Sequence, residues 1–280
     1  MKLKDRVAIV TGSGRGIGRA IALAMAEQGA DVVVAARTLA ELEGTAAEIE
    51  SLGRRALIVQ ADVSREQEVK AMVHDALGEF GRIDILVNNA GIQGPIGPLA
   101  QVDAEEWLRC IRINLGGVFL CCQAVLPIMI DQGAGKIINL SGGGATSPRP
   151  FFSAYAASKT AIVRLTETLA EEVKQHNIQV NAIAPGVVTT RMTEQVLAAG
   201  SAAGEETLAR TRRQKETGGV TPEAAAALAV FLASDESDGL TGRLISAVWD
   251  DWRSLASCPE AVMATDLYTL RRITRDTGGG

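Results

Sequence analysis

The sequence predicts an α/β protein: a single doubly wound domain whose mainly parallel, seven-stranded sheet is flanked by helices. Three observations carry that prediction. Short runs of Val, Ile, Leu and Ala alternate with longer helical stretches along most of the chain. These runs are apolar almost without a break, the mark of strands covered on both faces. A glycine-rich turn joins the first run to the first helix, where sheets of this kind place a ligand crevice.

In order, "RVAIVTG" is the first strand, and a helix follows from about Gly16 to Gln28. "DVVVAAR" is the second strand, before a charged helix from about Leu39 to Ser51. "RALIVQAD" is the third. The next helix opens at Ser64, with Gln67 at the capping-box spacing. "IDILVNNAG" is the fourth strand, and Asp103 with Glu106 repeats the cap pattern ahead of a long apolar helix. "GKIINLS" is the fifth strand, followed by the helix carrying "SAYAASK", and "IQVNAIAPG" is the sixth. Thr221 caps a helix with Pro222 at its first position, and "GRLISAVW" supplies a seventh strand. Arg191 to Val220 lies between a strand end and a helix, where a mobile lid would sit.

Composition narrows the function classes. Of 280 residues, 47% are hydrophobic and 22% charged, ordinary for a globular protein with a real core. The net charge of -5 offers no basic face for nucleic acid. Cys110, Cys121, Cys122 and Cys258 form no CxxC pair, and only His74 and His176 could join them, so no metal site is expected. The cysteines read as reduced, small buried hydrophobes. The N-terminal apolar run "VAIV" is too short for a signal peptide. Ile113 to Ile130 is uncharged for 18 residues, but Asn114, Gln123, Pro127 and two glycines interrupt it. It reads as a buried helix rather than a membrane span, and the expected compartment is the cytoplasm.

"TGSGRGIG" ends the first strand and opens the first helix, so Gly12, Ser13, Gly14, Arg15, Gly16, Ile17 and Gly18 form a candidate phosphate loop. Glycines let backbone N–H groups approach a pyrophosphate, and the helix N-terminus adds partial positive charge. At the end of the second strand an acid would bind the ribose hydroxyls of NAD. Arg37 stands there instead, and Arg15 lies in the loop. Guanidinium forks match a 2′-phosphate, so NADP(H) is preferred, with NAD(H) possible.

The chain resembles the short-chain dehydrogenase/reductase family. "TGSGRGIG", "ADV", "NNAG", "NLGGVF", "LSGGG", "YAASK" and "APGVVTT" occur in the family's order between about Leu3 and Gly242. The resemblance implies a single Rossmann-type domain, with the NADP(H)-binding catalytic part over 1–248 and a C-terminal extension over 249–280. It implies that Asp62 and Val63 flank the adenine, and that Asn89, Ala90 and Gly91 line the cofactor. Pro185, Gly186, Val188 and Thr190 would hold the nicotinamide end.

It also implies a catalytic tetrad of Asn114, Ser141, Tyr155 and Lys159. The residues agree on geometry. Ser141 ends the fifth strand, and Tyr155 and Lys159, at i and i+4, share a helix face. A hydride passes between nicotinamide and a carbonyl carbon, and the oxygen then needs a proton. A free tyrosine has a pKa of about 10, and a nearby ammonium would lower it. Tyr155 is then general acid in reduction and general base in oxidation. Ser141 would orient the reacting oxygen, Lys159 would also bind the ribose, and Asn114 would support a water relay. By resemblance the assembly is a homotetramer or homodimer.

Two features depart from the family. Where relatives often end in "VDGG", this chain reads "LISAVWDDW" and continues to Gly280. A tail with Trp249, Trp252 and Tyr268, in a chain only 4% aromatic, is expected to cover the substrate cleft of its own subunit or a neighbour's. The places where acyl-carrier reductases carry docking cations hold Gln132 and His176. A small-molecule ketone, aldehyde or alcohol is therefore the expected substrate. A 3-oxoacyl-[acyl-carrier-protein] reductase is the first alternative, and a non-catalytic NADP-binding regulator the alternative of another class.

Overall fold

The structure, a computed structural model, describes residues 1–257 and 259–272. Seven strands build one sheet: β1 (Val7–Thr11), β2 (Asp31–Ala36), β3 (Ala56–Gln60), β4 (Ile85–Asn88), β5 (Gly135–Leu140), β6 (Ile178–Ala184) and β7 (Leu244–Ser246). Their order is β3-β2-β1-β4-β5-β6-β7, and every neighbouring pair is parallel. The chain winds outward from β1 in one direction and, after β3, returns to place β4 on the other side. All carboxyl ends therefore share one edge, with a crevice between β1 and β4.

Helices cover both faces, and side chains alternate between them along each strand. Ala8 and Val10 face a core shared with α1 (Gly16–Glu27), α2 (Leu39–Ser51) and α9 (Pro222–Ala233). Ile9 faces the opposite core, shared with α3 (Glu66–Phe80), α5 (Gly117–Gln132) and α6 (Ser153–Glu172). α4 (Ala104–Ile111) runs into α5 through one π-helical turn, Arg112–Gly116, so 104–132 is a single helical rod. This rod is the one described helix long and apolar enough to cross a membrane. It is packed into the fold: Cys121, Cys122, Val125 and Met129 are buried against the sheet and α3.

Several local expectations change. Ser64 does not cap α3, which starts at Glu66, because its hydroxyl and amide both donate to Asp62 Oδ1, at 2.7 and 2.9 Å. Asp103 does cap α4, accepting from Glu106 N at 2.8 Å. The segment expected as a lid is largely helical: α7 (Arg191–Ala199), a 3-10 turn, and α8 (Glu205–Thr217). β7 has only three residues.

The described part of the tail packs on α9 and the edge of the sheet. Trp252 packs on Phe231 of α9 with ring centroids 5.4 Å apart, and Leu255 and Val262 join the same core. Arg243 Nη2 donates to the carbonyls of Val262, Met263 and Thr265. Leu244 N, on the free side of β7, donates to Tyr268 O at 2.7 Å. The tail covers the edge of the sheet, a strand whose outward N–H groups otherwise lack partners. Trp249 is 81% exposed, so the two neighbouring tryptophans part company. Part of the expected extension, Cys258 and 273–280, lies outside the described residues.

Candidate active site

The crevice is built from loop ends tied to one another. Thr11 Oγ1 donates to Val87 O at 3.2 Å and accepts from the amides of Asn89 and Ala90 at 3.0 and 3.1 Å. Asn89 Nδ2 returns to Thr11 O and Gly12 O, at 2.8 and 3.1 Å. Gly12 has φ +66, and a Cβ there would press on Asn89 and Ala90; one on Gly18 would strike Asn89 Nδ2 and Gly12 O. Both glycines are required by close packing. A Cβ on Gly16 would meet only Thr190, at 3.7 Å, so the loop is open above the N-terminus of α1. Arg15, the N-cap of α1, makes no side-chain cap bond. An open, uncapped helix N-terminus over packed glycines fits a dinucleotide's phosphates.

The other predicted cofactor residues converge unevenly on this crevice. Ser13 does not point into it, because its hydroxyl accepts from Ala35 N at 2.9 Å; only its backbone can contribute. Arg15 is paired with Glu41 at 2.7 Å, whereas Arg37 is exposed at the end of β2. Burial raises the Asp62 carboxyl, but the Ser64 bonds and the nearby Arg37 and Arg65 together leave it lowered. Val63 packs against Gly117, where a Cβ would fall 2.6 Å from Val63 Cγ2. Pro185 follows β6, Gly186 turns with φ +81, and Val188 bridges Val220. Thr190 caps α7 and brings that loop beside Gly16. Gly91 lies close to both Asn114 and Lys159, a hypothetical Cβ falling 3.2 Å from Asn114 Oδ1 and 3.8 Å from Lys159 Nζ.

Asn114, Ser141, Tyr155 and Lys159 form one buried group. The π turn places Asn114 so that its amide clasps the backbone of Ile92: Oδ1 accepts from Ile92 N at 2.8 Å and Nδ2 donates to Ile92 O at 2.9 Å. Nδ2 also reaches Ser158 Oγ at 3.0 Å. Ser141 Oγ donates to Lys159 O at 3.2 Å, and Lys159 Nζ donates to Leu140 O at 2.6 Å, so β5 and α6 are stitched together. Lys159 Nζ lies 5.6 Å from the centre of the Tyr155 ring. The Tyr155 hydroxyl sits over Gly142, where a Cβ would come within 2.8 Å of it.

Electrostatics correct one expectation. Burial pushes the Tyr155 phenol above its usual range, Arg149 pulls it down and Cys110 pushes it up. The cation that acts on the phenol is thus Arg149, which the sequence reading did not single out, and its effect is smaller than that of burial. Burial also lowers the Lys159 ammonium to about 8, since a charge in a dry site is costly.

Sequence reasoning missed other site residues. Arg149 lies over the rings of Phe152 and Tyr155, its guanidinium carbon 4.0 and 5.2 Å from their centres. Phe152, Val196 and Ala203 pack with Tyr155 in a small apolar cluster. Phe151 has φ +69, an uncommon backbone for a bulky residue, and accepts from Gly97 N at 2.9 Å. Gln93 Nε2 is buried without a partner in the loop after β4. A charged residue between two prolines, "PRP", just ahead of the tyrosine helix was the available signal.

The family model described as short chain dehydrogenase matches residues 6–200. The chain belongs to the short-chain dehydrogenase/reductase family. It is 41% identical over 246 residues to a short chain dehydrogenase/reductase of Aspergillus oryzae, covering 87% of this chain and 94% of that protein. It is 37% identical over 245 residues to a 3-oxoacyl-[acyl-carrier-protein] reductase of Thermotoga maritima, covering 88% and 97%. Among solved structures, an NAD+-bound xylitol dehydrogenase superposes with a TM-score of 0.83 at 31% identity, covering 88% of this chain and 98% of that one. As a short-chain dehydrogenase/reductase the chain is an oxidoreductase acting on CH–OH or C=O groups with NAD(P)(H).

Proposed function

We propose that this protein is an NADP(H)-dependent oxidoreductase of small carbonyl compounds and alcohols, with Tyr155 transferring the proton. One observation carries the reading: the hydroxyl of Tyr155, a buried residue, makes no hydrogen bond among the described residues and stands over Gly142, beside Ser141 and Lys159. When bound, the nicotinamide supplies or accepts the hydride. The backbone of 12–18 and the α1 N-terminus hold the phosphates, and Asp62, Val63, Asn89, Ala90, Gly91, Pro185, Gly186, Val188 and Thr190 line the rest. Lys159 turns from Leu140 O toward the ribose. Ser141 swings from the α6 backbone to the reacting oxygen, and Tyr155 gives that oxygen a proton or takes one.

The preference for NADP(H) rests on Arg37, which is exposed, has no ion pair among the described residues and stands where an acid would serve NAD. Arg15 joins it only after leaving Glu41. Small substrates are favoured over a carrier-bound one because Gln132 is committed to the backbone of Ile83, at 3.1 and 2.8 Å, leaving no cation there. Exposed Leu108, Phe119 and Ile130 on the 104–132 rod support assembly into a homotetramer or homodimer. Placement in the cytoplasm remains part of the proposal.

The test is NADPH oxidation with a panel of ketones and aldehydes. Tyr155→Phe should retain NADPH affinity and lose turnover by about two to four orders of magnitude. Unchanged turnover in that variant sinks the assignment of Tyr155.

A further inference from the structure

The cleft holds a cation without a counter-charge among the described residues. Arg149 is half-buried beside Tyr155, yet its guanidinium has no hydrogen bond or ion pair among the described residues. Elsewhere Arg6, Arg15, Arg19, Arg54, Arg55 and Arg82 each meet a carboxylate. A partly desolvated, unpaired charge is costly to keep. The groups whose charge acts on Arg149 are Tyr155 and Arg210 of α8, and Arg210 repels it. Burial and that repulsion both work against the Arg149 cation.

The surroundings leave room in front of it. Gly143 does not have positive φ, so its backbone does not demand glycine. A Cβ there would point toward Arg149 Nη1 at 3.9 Å, and the missing side chain keeps that approach clear. The guanidinium lies over the rings of Phe152 and Tyr155, which restrain it before any ligand arrives. A guanidinium fork so restrained matches a carboxylate's two oxygens. Phe152, Val196 and Ala203 pack with Tyr155 in a closed apolar cluster that backs the guanidinium.

We infer that the substrate is a short oxo acid, or the corresponding hydroxy acid, whose carboxylate is held by Arg149 with Arg210 closing over it from α8. The inference rests on the oxidoreductase reading and narrows its substrate class. Arg149 is a specificity residue, placed so that the carboxylate lies within a few carbons of the carbonyl facing Tyr155. An anion there also removes the repulsion between the two arginines, which draws α8 toward the cleft.

The experiment compares short 2-oxo and 3-oxo acids with their methyl esters as substrates of the NADPH-loaded protein. The acids should exceed the esters in kcat/KM by about tenfold or more, mainly through KM, and the gap should shrink with added salt. Arg149→Gln should lower the acid-to-ester ratio about ten- to a hundredfold, Arg149→Lys should restore part of it, and Arg210→Gln should lower it less. Equal kcat/KM for acids and esters in the wild type overturns the inference and leaves the oxidoreductase reading standing. So does an Arg149→Gln loss that is the same for both. If no carbonyl compound is turned over, the oxidoreductase reading fails, and calorimetric titration of the same oxo acids into the NADPH-loaded protein decides the anion site. Binding abolished by Arg149→Gln supports it, and no binding to the wild type overturns it.

Discussion

At the scale of single residues, the site's chemistry is set by burial against charge. Tyr155 is buried, so its phenol is raised and stays protonated through neutrality. It is then ready to give a proton, and carbonyl reduction should be nearly flat across neutral pH. Alcohol oxidation needs the phenolate and should accelerate as pH rises, which a pair of pH–rate profiles will measure. Lys159 carries a second consequence. Its native pKa of about 8 lies below the ordinary 10.5, so between those values the unfolded chain binds more protons and stability rises with pH. Thermal melts of cofactor-free wild type and Lys159→Met should therefore diverge in favour of the wild type as pH rises through that window. A gap that does not move with pH contradicts the buried-ammonium account. At the cofactor end, Arg37→Asp should cut kcat/KM for NADPH about tenfold or more and raise NADH's share, since it replaces a guanidinium with a carboxylate where a 2′-phosphate would sit.

At the scale of elements, the 104–132 rod matters most. Its apolar length was legible in the sequence, but the π turn at Arg112–Gly116 was not, because it arises from Asn114 being drawn onto Ile92 across 22 residues. That clasp holds the loop after β4, which carries Asn89 to Gly91. Asn114→Ala should leave Ile92 N unpaired and Ile92 O with only the weak Cys110 thiol donor in a part-buried place, at a cost on the order of 2 kcal/mol. Tm should fall by roughly 5–10 °C, and turnover should fall with it as the loop loosens. A stable but inactive variant would instead assign Asn114 to the reaction alone. The caps teach a related lesson: Asp103 and Ser64 look alike in sequence, and only Asp103 caps. Ser64 is claimed by Asp62, two residues away, before it can serve the helix.

At the scale of the whole molecule, the tail is a structural closure. Trp252, Leu255 and Val262 extend the core over α9, and 264–271 protects the edge of β7 and reaches Glu167 on α6. Truncation after Ala247 should therefore lower Tm and promote association through the bared edge, measurable by thermal melts and sedimentation. Trp252→Ala alone should cost about 3 kcal/mol or more. Unchanged stability and assembly in both variants would return the tail to a role outside its own subunit.

The sequence by itself determined the layered architecture and, through its resemblance to the family, the candidate tetrad. Strand-length apolar runs can only be buried on both faces, and the i, i+4 spacing of Tyr155 and Lys159 is fixed by helix geometry whatever surrounds it. The described segments follow that plan closely, including Leu39–Ser51. Tertiary structure alone decided which charges are free and which are spent. Arg15 is paired, Ser13 is turned inward and Arg149, over the tyrosine, has no partner among the described residues. Those outcomes depend on partners tens of residues away and on dehydration at the strand ends. A linear pattern carries no record of either.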